Sequence, residues 1–163
     1  MKSKIFVLGC VLAGLIVALV LPMNVAATGN VLVCTGEEYR IAFIDPGTWT
    51  YMDDRIKVRG MMMQYEEVAS CGQASGVNTV VMNANWDANM TGPIWGTSHS
   101  ETLYNGGGVW EGSWAGKVNP DGSSAYRATV LGVSGSVKGL VMQVQASSTP
   151  GGFAQVTFTI FNP

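Results

Sequence analysis

Residues Gly107–Val118 read GGVWEGSWAGKV. Trp110, Gly112, Trp114, Gly116 and Val118 share one parity, and Glu111, Ser113, Ala115 and Lys117 the other. Successive side chains of a strand point to opposite faces, so one face is large and small apolar and the other mainly polar. Trp beside Gly suits a tightly curved sheet, because the missing side chain leaves room for an indole. A similar phrase, GPIWGTSHSE at Gly92–Glu101, precedes it across the loop Tyr104–Gly108. The two are expected to form the central hairpin of a small antiparallel barrel.

The flanking chain repeats the period of two. Val80, Met82, Ala84, Trp86 and Ala88 oppose Val81, Asn83, Asn85, Asp87 and Asn89. Leu140, Met142, Val144, Ala146 and then Ala154, Val156, Phe158, Ile160 form two clean apolar faces, linked by the turn Thr149–Gly152. Arg55–Ser70 alternates Ile56, Val58 and Met62 against Arg55, Lys57 and Arg59, while Gly60 and Met61–Met63 blur the pattern and predict a bulge or bend. Asp45–Thr48 and Asn119–Gly122 are turn signals, the second with proline presetting φ and glycine accepting a positive one. Tyr39–Ile44 reads as a short strand after a lead-in, and Trp49–Asp54 is ambiguous. The mature chain lacks a helical period. Sequential strands joined by short turns favour an all-β fold, a small antiparallel eight-stranded β-barrel, whose closure removes exposed edges. A two-sheet sandwich is the alternative.

The first residues concern export. Met1–Lys4 is basic, Ile5–Leu21 carries no charge, and Val25-Ala26-Ala27 offers small residues where a signal peptidase cuts. This describes a signal peptide helix over 1–27, with 28–163 as one secreted barrel domain in the bacterial style and the membrane met only before cleavage. An uncleaved anchor is the alternative, and a lipoprotein is rejected because Cys10 lies inside the apolar run. Losing Lys2 and Lys4 takes the net charge from −2 to −4. A mildly acidic surface argues against nucleic acid, and Arg55, Lys57 and Arg59 read as one solvated strand face. Removal of Cys10 leaves Cys34 and Cys71, which are expected to pair in an exported chain.

The spaced Gly, Trp and Asn of Ile56-Lys-Val-Arg59-Gly60, Gly76–Asn83, Gly92-x-x-Trp95-Gly96-Thr97, Trp110-x-Gly112-x-Trp114 and Gly132–Leu140 carry a resemblance. The stretch Arg55–Val144 resembles small secreted bacterial proteins similar to the allene oxide cyclase barrel, the fold shared with plant dirigent proteins. Such positions specify a barrel backbone, so the resemblance implies the fold, and no catalytic role is carried over with it.

Candidate chemistry is sparse. His99, the sole histidine, shares a face with Trp95, Thr97, Glu101 and Leu103. Strand register determines whether that face is luminal. If Leu103 faces Val109, Glu101 lies opposite Glu111, an unfavourable pair. A one-residue shift places Leu103 opposite Trp110 and His99 opposite Trp114. Both stay open, and His99 and Glu101 are the candidate acid–base residues. Asn83, Asn85, Asp87 and Asn89 read as a solvated outer face, with a polar ladder for a sugar or cation as the alternative. Glu66 and Glu67 are adjacent and point to opposite faces, so they are not a pair. The Gly106–Gly108 loop has no helix after it to bind phosphate. Neither a metal site nor a cofactor is expected.

The expected function is binding of a small, mostly apolar ligand in the barrel by Trp86, Trp95, His99, Glu101, Trp110 and Trp114. An isomerase or cyclase of the allene oxide cyclase-like type is one alternative. A filled barrel acting through its surface, as a homo-oligomer or cell-surface protein, is the other.

Overall fold

Among the described residues, period-two patterning becomes nine strands, each antiparallel to its neighbours. The computed structural model describes residues 30–102 and 106–163. The expected signal segment and Leu103 lie outside the described residues. The strands are β1 (Leu32–Asp45), β2 (Thr48–Met52), β3 (Arg55–Ala69), β4 (Gly76–Asp87), β5 (Gly92–Thr102), β6 (Gly108–Val118), β7 (Ser124–Gly135), β8 (Val141–Ser148) and β9 (Ala154–Phe161). One 3-10 turn, Gly72–Ala74, lies between β3 and β4. Strands β3 to β9 pair in sequence, and β1 pairs with both β9 and β3, closing an eight-stranded antiparallel barrel. Strand β2 lies along the first part of β3, outside the ring. The closed ring replaces the sandwich alternative.

Two expectations about strand extent change. Strand β1 starts at Leu32 instead of Tyr39, because Leu32–Glu38 pairs with Ile160–Ala154 at the far end of the chain. The apolar face expected from Leu140 loses its first member, because β8 starts at Val141, and Val137 packs fully buried in the preceding turn. The bulge in β3 is present. Its register jumps between Val58 and Met61, Gly60 takes φ +69°, and both Val58 and Met61 face inward. From there Met63, Tyr65 and Glu67 keep the inward parity of Met61.

The outer Asn residues latch that bulge. Asn83 Oδ1 accepts from the Gly60 N–H at 3.2 Å. Arg59 donates to the Ala84 carbonyl at 2.7 Å and to Asn85 Oδ1 at 2.8 Å. Asp87 takes hydrogen bonds from the backbone of Asn89 and Thr91 and holds the β4–β5 turn.

Inside, one apolar cluster centres on Trp110, Val130, Met142 and Phe158, and a second on Val58, Met61, Met82 and Ile94. One end of the barrel is plugged. Trp110 is fully buried and donates from Nε1 to the Gln73 carbonyl at 2.8 Å. Thr102 Oγ1 donates to the Gly72 carbonyl at 2.8 Å. The Cys34–Cys71 disulfide, with Cα atoms 5.8 Å apart, ties this cap to β1. It closes a 37-residue separation. Replacing both cysteines by alanine is expected to cost about 2–4 kcal/mol in a urea titration, since a disulfide of this span mainly restricts the unfolded chain.

Candidate functional site

The opposite end of the barrel is open on one side. Strand β1 loses its β9 partner after Glu38, and β9 begins only at Ala154. The Tyr39 and Phe153 rings meet across the gap between Tyr39 and the β8–β9 turn, 5.0 Å between their centres. Behind it lies a cavity of about 500 Å³. Met63, Val80, Met82, Ile94, Met142 and Val144 supply its apolar wall. The lumen is therefore not filled by the protein's own side chains.

The polar part of the lining is concentrated. Glu38 and Glu67 are direct cross-strand partners on β1 and β3, and both are buried. Inward parity explains each: Glu38 lies four residues after the buried Cys34, and Glu67 six after Met61. Asn78 Nδ2 donates to Glu67 Oε1 at 3.0 Å, and Ser100 Oγ donates to Glu67 Oε2 at 3.0 Å. Ser98 Oγ donates to Asn78 Oδ1 at 2.8 Å, which fixes the amide with its NH2 toward Glu67. From the far wall, Tyr126 on β7 reaches across and donates to Glu38 Oε2 at 2.8 Å.

Two facing carboxyl groups away from water resist ionisation. Burial pushes Glu38 up to about 7, partly offset by the Tyr126 hydrogen bond. Burial, then the charge of Glu38, pushes Glu67 up to about 8, against the pull of Ser100 and Asn78. The same environment raises the two phenols. Tyr65 rises to about 12 through burial and the Glu38 charge, partly offset by Arg40. Tyr126 lies well above the usual range, through burial and then Glu38. A pair of this kind can donate a proton from one oxygen and accept at another, near neutral pH.

Of the expected ligand residues, only Trp114 lines the cavity. Its indole donates to the Thr97 carbonyl at 3.2 Å and meets Tyr126 edge-on at 5.9 Å. Trp110 belongs to the plug. Trp86 packs against Trp49, 5.8 Å between ring centres, and its buried Nε1 has no partner among the described residues. Trp95, His99 and Glu101 point outward. The observed register sets His99 opposite Glu111 and Ser100 opposite Trp110, which neither considered register allowed. The inward face of β5 is instead Ile94, Gly96, Ser98, Ser100 and Thr102. Outside, Arg59 lies 5.1 Å over the Trp95 ring. His99 bridges Glu111 at 3.2 Å from Nδ1 and Glu101 at 3.3 Å from Nε2. It is thus removed from the lumen by the thickness of the wall.

Comparison with protein-family models, curated proteins and solved structures finds no match.

Proposed function

We propose that this chain is an exported barrel that holds one small, mostly apolar molecule in its lumen, with the polar end of that molecule against Glu38 and Glu67. The observation that carries the reading is the cavity of about 500 Å³, capped at one end, with an apolar wall around one buried polar cluster and further polar side chains (Tyr39, Arg40, Ser124 and Ser148) in its lining. Ligand sites have this composition: a large apolar lining and a few polar groups that fix orientation. An unfilled lumen favours this reading over a filled barrel acting through its surface. The disulfide supports an extracytoplasmic setting, where such bonds persist.

Native mass spectrometry of the exported protein, followed by extraction, tests the proposal. The expected result is a stoichiometric small molecule that disappears when Val144→Trp fills the lumen. Retention of the molecule by a folded Val144→Trp protein would remove the lumen as its site.

A cyclase or isomerase of the allene oxide cyclase-like type is the second reading, and the facing carboxyl pair favours it. The acid–base roles then pass from His99 and Glu101 to Glu38 and Glu67, the carboxyl groups that line the cavity. Turnover of an allene oxide is expected to fall about a hundredfold or more in Glu67→Gln while binding persists. Unchanged turnover in that variant would sink the catalytic reading and leave the binding one intact.

A further inference from the structure

The donors of the lumen are already directed at its two carboxyl groups. Asn78 and Ser100 each address a different oxygen of Glu67, Tyr126 addresses Glu38, and Ser98 holds Asn78 in place. Donors on both oxygens would support the ionised form of Glu67 once a cation stands beside it. The inward hydroxyl of Tyr65 turns to Met63 Sδ at 3.4 Å. What the cluster offers a ligand is therefore acceptor capacity, and neither carboxyl has an ion-pair partner among the described residues.

We infer that the lumen selects an organic ammonium ion, a small primary amine with an apolar body, whose N–H groups lie between Glu38 and Glu67. This rests on the lumen being the binding site, and it names the class of ligand. The charge of the ligand would be paired where an isolated charge could not be buried. The apolar wall takes the chain.

Proton linkage gives the inference a signature. In the empty lumen burial favours the protonated carboxyl groups, so an incoming ammonium ion displaces protons. Affinity is then expected to rise with pH, by up to about tenfold per unit for each proton displaced, until the amine itself deprotonates near ~10. A ligand that accepts a hydrogen bond from a protonated carboxyl shows the opposite sign. Among the described residues, the other ionisable groups around the pair are Tyr65 on β3, Tyr126 on β7, and Tyr39 and Arg40 at the mouth on β1. Strands β4, β5, β6, β8 and β9 present only neutral lining residues there. The phenols stay neutral through this range, so the carboxyl pair sets the sign.

Octylamine, octanol and octanoate test this by Trp fluorescence and native mass spectrometry. Octylamine is expected to bind about tenfold or more tighter than octanol at pH 7.5, with octanoate weakest, and to tighten from pH 6 to 8. Glu67→Gln and Glu38→Gln should each erase the preference while octanol binding and near-ultraviolet circular dichroism persist. Glu101→Gln, on the outer wall, should keep it. Octanol binding as tightly as octylamine, or amine affinity falling with pH, would overturn the inference and spare the lumen reading. Binding of none of the three, with Val144→Trp equally without effect on the native ligand, would overturn both.

Discussion

The barrel is expected to melt at progressively lower temperature as pH rises from 5 to 8, the reverse of ordinary acid denaturation. The unfolded chain releases the protons of Glu38 and Glu67 near the usual value of 4.5, whereas the folded chain holds them to about 7 and about 8. Over that interval the native state binds more protons than the unfolded state, so stability must fall as pH increases. The contribution is fully present below 4.5 and is lost as pH rises through the folded values. Each group sets a slope of at most about 1.4 kcal/mol per pH unit, reduced where the two titrate together. Glu37, Asp87 and Asp121 act in the other direction. Their pKa values are lowered, first by hydrogen bonds from Tyr39, Thr91 and Ser123 respectively. Their stabilisation is lost only in more acid solution, so they do not mask the trend between 5 and 8.

Glu67→Gln isolates the cause. Glutamine keeps the shape and still accepts from Asn78 or Ser100, but it removes the like-charge partner that faces Glu38. The variant is expected to be more stable than wild type at pH 8 by more than about 1 kcal/mol, with a flatter profile. Glu38→Gln should flatten it as well. Thermal unfolding at four pH values from 5 to 8 supplies the measurement. Wild-type stability that is flat, or that rises toward pH 8, would mean that neither carboxyl is held protonated in the fold. The ligand signature would then lose its basis too, because both depend on the same pair.

The barrel was legible where alternation was clean. Met82 and Trp86, Met142 and Val144, and Val156 and Phe158 all face inward as their period predicts. The face of β5 was not legible, for a physical reason. Its luminal side carries Gly96, Ser98 and Ser100, small or polar because Trp114 and the carboxyl cluster need the space and the hydroxyls. Its outer side carries Trp95, which finds its cover in Arg59. A rule that sends the larger apolar residues inward therefore chooses the wrong side. Glu67 was hidden by the Gly60 bulge, which resets parity halfway along β3. Comparing it with Glu66 was correct as far as it went, yet its partner lies on another strand. One signal was available. Once Cys34 is placed inside by its disulfide, Glu38 is inside four residues later, and Asn78 shares the parity of Val80 and Met82. Pairing of β1 with β3 brings the two acids together, and that long-range register is what local patterning cannot supply.

Gly96→Ala is expected to cost about 3 kcal/mol or more, a large effect for a single methyl group. Gly96 sits between Met82 on β4 and Trp114 on β6. A Cβ there would overlap the Val81 carbonyl oxygen and come within 3.2 Å of Trp114 Nε1. The first obstacle is backbone, so no rotamer change relieves it, and β4 and β5 must move apart. The second is the indole that donates to the Thr97 carbonyl and forms part of the lumen wall. Displacing it would break that hydrogen bond or push the ring into the cavity. Gly112 repeats the arrangement on β6, where a Cβ would meet the Thr129 carbonyl and the Val130 side chain. The alternation of Trp and Gly is thus a spacing device: each glycine lets neighbouring strands coil closely while the indoles fill the curvature. Urea unfolding of Gly96→Ala, with Trp fluorescence as a second readout, should show the stability loss and an altered Trp114 environment together. A variant that unfolds at the wild-type midpoint would show that β4 and β5 have slack at this point. The tight coiling that shapes the lumen would then have to be maintained elsewhere in the ring.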